Sequence, residues 1–453
     1  MEGVVKQAEM RALGKTEANW VAAVESGTGI TITSVMFQRR VPLGELKAAL
    51  CDLLAMNPRL RSLIVREDRG FVFRTPEEVY VRVSEVDVSG DDHEEEEDGK
   101  VRERWHLITE KELNMGFSKD YPTAVFQPKV YVLPGDRSLL VLRVHAAAAD
   151  MASTPTMVKQ IVSSLQKRSV IDYRNVSGEG EEMVLPSVED AIPPGQANKP
   201  FWAHGMDVVG YGLSSRRHAY LPFDDTESAR SSKLIRAALT AGATDLLLKE
   251  CEKREVSVYG VIIAAALKAV AAYKQVGARG EHYGATVLMQ CRSLLQPQLP
   301  DSTIGFYHSA LLRTIHTTEP EPFWEFAARC SQDFDNAVKN RKHFTDMGDL
   351  NGLMEQAMRF PSLTPSETMR TSVLSTMFAP VVEDLGEEVA EVGVKDFLSC
   401  SSTHGVGPCL ALFPFMRQGS LQFSFVYSSP LFSRSLMQNI VDSILFYLSE
   451  DEP

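Results

Sequence analysis

The segment from Leu140 to Thr154 reads LVLRVHAAAADMAST. A strand-like apolar run ends in a histidine, and an aspartate follows in what reads as the next loop. An imidazole carried at a strand end can take a proton from a hydroxyl or amine, and a nearby carboxylate can orient it or hold its loop. His145 is the candidate general base, and its bland alternative is a satisfied histidine beneath the wall of a site. A second polar cluster, Ser401, Ser402, Thr403 and His404, closes the run KDFLSCSSTHG. Hydroxyls there could steady an oxyanion or simply cap a strand, and His404 is either a replacement base or a strand-end residue. His308 in GFYHSA and His343 in KNRKHF read as a strand-end and a surface residue. Phe201 and Trp202 could line a pocket or pin down a long connection.

Common catalytic and binding signatures are absent. There is no G-x-S-x-G elbow, no phosphate-binding P-loop and no H-E-x-x-H, and the GVG at Gly405–Gly407 runs into Pro408 without a third glycine. The six cysteines form no C-x-x-C pair, which predicts reduced thiols and no metal centre. The acidic run SGDDHEEEEDGK reads as a solvated loop, since like charges in a row repel. The net charge of −13 argues against nucleic acid or anionic membranes as partners. No apolar run reaches a membrane span, and no leader-like h-region opens the chain. A cytoplasmic protein is expected, and NVS at Asn175 is taken as a chance sequon.

Positioning falls to two sets of elements. GITITSVMFQ, FVFR, VYVRVSEVDV, TAVFQPKVYVL and SLLVLRVH alternate or carry β-branched residues as strands do, the last two joined by the turn PGDR. Leu46, Leu50, Leu53 and Leu54 fall at helical spacing, ended by Asn57-Pro58, and a helix with a Ser or Thr cap follows Asp150. Beyond a Pro-, Gly- and acid-rich stretch, a buried helix is predicted around Val261 to Tyr273. There follow a strand in YGATVLMQ, an amphipathic helix opened by Pro322, strands in CLALFPFM and LQFSFVYSS, and a closing helix. HGMDVVGYGL, inside the crossover, is left to pair with something. At 453 residues the chain is long enough for two domains.

Four stretches, NPRLRSLIV, LLVLRVHAAAADMAS, VLMQCRSLLQPQLPDSTIGF and SCSSTHGVGPCLALFPF, occur in the order and rough spacing of the CoA-dependent acyltransferases. Over nearly its whole length the chain resembles that superfamily, which includes chloramphenicol acetyltransferase, nonribosomal-peptide condensation domains and polyketide-associated acyltransferases. HFTDMGDLN and SSTHGVGP are also similar to stretches of plant condensation-domain-like proteins.

The resemblance implies an α/β fold with mixed sheets: two chloramphenicol-acetyltransferase-like domains flanking a channel. The domains would span residues 1–175 and 234–453, with 176–233 as crossover. It implies acyl transfer from a CoA-type thioester to an alcohol or amine, with acyl-CoA as co-substrate and no resident cofactor. Two fused halves would make the channel within one chain, so a monomer suffices. It also pairs Asp150 with Arg292 as a structural ion pair and puts Ser401 to His404 near the channel. The family pattern is H-H-x-x-x-D-G, and its second histidine is the base. Counted from Asp150, that position is Ala146, and Met151 replaces the glycine. Strand parity places His145 with Arg143 and Val141, on the opposite face from Val144 and Leu142. Two outcomes stay open. A bulge could turn His145 into the channel as base, or the chain is an inactive relative that binds a small molecule or partner protein.

Overall fold

A computed structural model of the chain describes residues 9–89, 98–167, 185–215, 217–361, 372–374 and 392–449. The first elements are β1 (Glu9–Ala12), α1 (Lys15–Ser26), β2 (Thr28–Phe37), α2 (Leu43–Met56), α3 (Pro58–Arg61), β3 (Leu63–Glu67), β4 (Gly70–Thr75) and β5 (Ser84–Asp87). Next come α4 (Asp98–Leu113), β6 (Thr123–Ala124), β7 (Phe126–Leu133), β8 (Arg137–His145), α5 (Ser153–Lys167), α6 (Phe201–Ser215), β9 (Ser231–Ala238), α7 (Ala241–Lys253), α8 (Val258–Lys274) and β10 (Glu281–Gln290). The last are β11 (His308–Thr317), α9 (Phe323–Lys339), α10 (Lys342–Thr345), α11 (Met347–Arg359), β12 (Ser372–Leu374), β13 (Val394–Thr403), β14 (Leu410–Arg417), β15 (Ser420–Ser429) and α12 (Arg434–Ser449).

Among the described residues the strands form three sheets, ordered β1-β4-β3-β6, β13-β2-β8-β7-β5 and β11-β10-β12-β14-β15-β9. The mixed α/β class read from the sequence is the one observed. Strands β2 and β8 are buried along nearly their whole length because both faces are covered. Leu140, Leu142 and Val144 pack with Leu46, Leu50 and Leu53 of α2 and with Met157 and Ile161 of α5. On the other face, Leu139, Val141, Ile30 and Ile32 meet Trp105 and Ile108 of α4. That second cluster also takes in Leu234 of β9, Ala411 and Phe413 of β14 and Val426 of β15, so the two halves share one core. The outer face of the C-terminal sheet packs on α8 and α12. Helix α8 is capped by Ser257, whose Oγ accepts from the Gly260 N–H at 3.2 Å. A Cβ on Gly260 would sit 2.8 Å from Ser331 Cα, so only glycine lets α8 and α9 come this close.

The halves are also joined by exchange of a strand. β13, from the C-terminal part of the chain, pairs antiparallel with β2, setting Leu398 opposite Ser34 and Thr403 opposite Thr28. The 1–175 and 234–453 division therefore does not coincide with sheet membership.

Several local expectations change. Within VYVRVSEVDV only Ser84–Asp87 ladders, because β5 pairs with β7 alone, in parallel. Val79, Val81 and Val83 pack on the core without joining the sheet. HGMDVVGYGL lies in helix α6, which turns polar groups inward: His204 Nδ1 meets Asp349 Oδ1 at 2.8 Å and the Tyr211 hydroxyl donates to Asp346. Trp202 is 72% exposed, and Phe201 lies outside the residues whose side chains the structure describes. His343, read as a surface residue, is buried with its ring 4.3 Å from that of Phe344. Most of the acidic run and Asn175 lie outside the described residues. Among those described, no single helix is long and apolar enough to cross a membrane.

Leu398 is fully buried in the shared core. Leu398→Ala is expected to cost about 2–5 kcal/mol. In urea, far-UV and near-UV circular dichroism should shift together, and separate transitions would show that the halves unfold independently.

Candidate functional site

The loop after β8 is held by one buried carboxylate. Asp150 Oδ2 accepts from Arg292 Nη1 at 3.0 Å and from the Tyr307 N–H at 2.9 Å. Oδ1 accepts from Arg292 Nη2 at 3.0 Å, the Ser153 N–H at 3.1 Å and the Ser153 hydroxyl at 2.9 Å. Arg292, wholly buried in the single 3-10 turn after β10, also donates to the carbonyls of Gly305 and Thr303, at 3.0 and 2.9 Å. The planar guanidinium fork matches the carboxylate in a bidentate pair. Burial alone would raise the Asp150 carboxyl, but Arg292, His308 and the Tyr307 N–H outweigh it and hold its pKa below the ordinary value.

This clamp brings the two halves together around a cavity of about 70 Å³. Ala146, Asp150 and Met151 line it from the loop, with Trp20 and Thr28 beside them; Phe306, His308 and the strand end Ser401, Ser402 and Thr403 complete it. Trp20 and Phe306 meet across the junction with ring centroids 5.7 Å apart. Gly29 makes the close packing feasible: its φ is +97°, and a Cβ there would lie 2.8 Å from the Trp20 ring and 3.2 Å from the Ala146 methyl. Met151 fills space that a glycine would leave open.

His145 does not line the cavity. It lies on the α4 side of β8, 3% exposed, with its ring centroid 5.1 Å from that of Phe117. Arg143 caps the same Phe117 ring at 5.1 Å. The pairing of Ile30 with His145 continues the β2–β8 register without a bulge. His145 Nδ1 accepts from the Ala147 N–H at 3.2 Å, which places the ring proton on Nε2. Burial drives its pKa down to about 3. The residue that faces the cavity is its neighbour, Ala146.

The hydroxyl cluster divides. Ser402 Oγ accepts from the Ile30 N–H at 2.9 Å, and Ser401 Oγ accepts from the Thr31 hydroxyl at 3.4 Å. Thr403 Oγ1 is buried without a partner. His404 lies off the cavity, its Nδ1 3.0 Å from Ser232 Oγ and its pKa lowered by burial. His308, read from the sequence as a strand-end residue, does open β11; it is 2% exposed and also lines the cavity, a position that the sequence reading did not give it.

Two other features lie away from this junction. A groove of about 850 Å³ between α4 and strands β9 and β15 is lined by paired charges, including Lys233–Glu110 at 2.7 Å and Arg236–Asp396 at 3.0 Å. Among the described residues, one group of metal-ligand type is close enough to share an ion: Asp207, Asp346 and Asp349. Lys199 already sits among all three, 2.8 Å from both Asp346 and Asp349.

The fold has known counterparts. The EpoB NRPS cyclization-docking bidomain from Sorangium cellulosum superposes with a TM-score of 0.66 at 15% identity, over 99% of this chain and 88% of that one. The trichothecene 15-O-acetyltransferase TRI3 from Fusarium sporotrichioides reaches 0.72 at 10% identity, over 97% and 94%. The first condensation domain of the calcium-dependent antibiotic synthetase, in complex with a substrate analogue, reaches 0.67 at 16% identity, over 98% and 97%. The chain shares the fold of condensation domains and of this acetyltransferase. No family model matches it, and no curated protein matches it in sequence. The narrower likeness to plant proteins finds no support in these structures.

A histidine whose pKa is depressed in the folded state takes up its proton on unfolding. The folded form then binds fewer protons than the unfolded one, and stability falls as pH drops from 6.5 towards 3. His145→Phe should reduce that slope by up to about 1.4 kcal/mol per pH unit. Urea midpoints at pH 7, 5 and 4 measure this, and an unchanged slope would mean His145 is protonated in the folded protein.

Proposed function

We propose that the chain transfers an acyl group from a CoA-type thioester to an alcohol or amine at the cavity between its halves. The observation that carries the reading is convergence. The Asp150–Arg292 clamp joins the loop after β8 to the turn after β10, and hydroxyl-bearing residues from β2 and β13 reach the same small cavity. An attacking acceptor, a thioester carbonyl and an oxyanion need such a meeting of proton acceptor and hydroxyl donors. At about 70 Å³ the cavity holds the reacting atoms and not the body of a substrate. The flexible Met151 side chain is the natural part to give way.

No step in this reading calls for a resident cofactor or metal, and the co-substrate is the acyl thioester. One chain supplies every lining residue, so a monomer suffices. The cytoplasm suits a protein whose six cysteines are all free thiols.

A second reading rests on Ala146. A methyl group cannot move a proton, and the neighbouring His145 is turned away, so a silent relative that keeps the cavity for a small molecule is the rival.

Thiol release from acetyl-, hexanoyl- and palmitoyl-CoA, with primary alcohols and amines as acceptors, separates the two. Turnover by the wild type above the protein-free rate is expected, with His145→Gln within a few-fold of it. A silent wild type beside an active Ala146→His variant would identify the lapsed enzyme. Silence in both would remove acyl transfer from consideration.

A further inference from the structure

Three buried polar atoms without a hydrogen-bond partner belong to residues lining the same cavity: His308 Nε2, Thr28 Oγ1 and Thr403 Oγ1. Protein interiors leave few such atoms unpaired, and several around one void point to a polar group supplied from outside the chain. Thr28 and Thr403 sit opposite one another in the pairing of β2 with β13. His308 opens β11, registered with Gln290 of β10. Alternation sends Phe306 and His308 to the cavity and turns the Tyr307 ring back under the Arg292 guanidinium, 5.2 Å away.

The charged groups facing the His308 ring are Asp150, from the loop after β8, and Arg292, from the turn after β10. Asp150 Oδ2 lies 3.7 Å from Nε2, close enough to act on its charge and too far for a hydrogen bond. Both oxygens of that carboxylate are already taken by Arg292 and by backbone N–H groups. Burial lowers the imidazole pKa most; Asp150 raises it and Arg292 lowers it further, leaving it below the ordinary value. The ring is neutral near pH 7 and lines the cavity, with Nε2 enclosed beside Asp150.

Resting on the acyl-transfer reading above, we propose that His308 is the general base of this site, reaching the cavity from the C-terminal half where Ala146 supplies none. Its imidazole takes the proton of the acceptor as the acceptor's oxygen or nitrogen bonds to the thioester carbonyl carbon. The carbonyl electron pair moves to oxygen, within the reach of the Thr28 and Thr403 hydroxyls as donors. The imidazolium formed is steadied by the Asp150 charge. Collapse of the tetrahedral species breaks the C–S bond, and the imidazolium returns its proton to the thiolate. The products are an ester or amide and a free thiol, with no oxidant or further reactant.

The test compares full-length wild type, His308→Gln, His308→Asn, Ala146→His and the double variant Ala146→His/His308→Gln. The probes are acetyl-, hexanoyl- and palmitoyl-CoA with 1-octanol and hexylamine, and thermal unfolding confirms that each variant is folded. Both His308 variants are expected to lower kcat about 100-fold or more, as loss of a general base does. KM should stay within about threefold, and the acid limb of the wild-type pH–rate profile should disappear. The double variant should regain turnover through its new imidazole. His308 variants that keep kcat within about threefold of wild type would overturn the proposal and leave acyl transfer standing. A silent wild type beside an active Ala146→His would also overturn it, because the site would then lack only a base. Silence throughout would overturn the acyl-transfer reading, and the proposal with it.

Discussion

The structure depends on one buried ion pair between residues 142 positions apart. Asp150 and Arg292 are both removed from water, and each has its remaining hydrogen-bonding capacity used by Ser153, Gly305, Thr303 or Tyr307. A buried pair of this kind is not a large net stabiliser against a well-packed apolar substitute, but removal of either partner strands a charge and costs about 3–5 kcal/mol. Its value lies in direction. By binding the Tyr307 N–H and the Gly305 carbonyl through one network, it sets the phase of the segment that enters β11. That phase decides that Phe306 and His308, and not Tyr307, meet the loop after β8.

Around this clamp the two histidines have opposite situations. His145 is paired with backbone and aromatic neighbours on the α4 side of its strand, where its environment suppresses charge. His308 is equally buried but borders a void and a carboxylate. Both stay neutral near pH 7, yet only one lies where a substrate atom could come. Burial by itself therefore separates the two poorly; what each ring faces separates them well.

Much of this was legible in the sequence. Alternation in SLLVLRVH implied that His145 sides with Val141 and Arg143, and the leucines of α2 showed their packing face. What could not be read locally was contact between distant segments. His308 sits in a run that looks like any strand start, and its meaning comes from Asp150, which only the folded chain brings near it. β13 reads as a strand of the C-terminal half because sequence order suggests it, whereas its partner is β2. Helix α6 defeats periodicity in another way: its inward stripe is polar and bonded to Asp346 and Asp349, while Trp202, Met206, Val209 and Leu213 face out. A pattern rule that sends apolar residues inward cannot see this.

The strand exchange sets a schedule for synthesis. Ile30 of β2 waits for Ser402, 372 residues further along, before its N–H finds the Ser402 hydroxyl. At ~5–20 residues per second, a ribosome takes roughly 20–75 s to cover that distance. Through that interval one edge of the N-terminal sheet stands unpaired, with the main-chain groups that β13 will cover open to other chains. That edge is covered only once the residues of β13 have emerged and paired with β2.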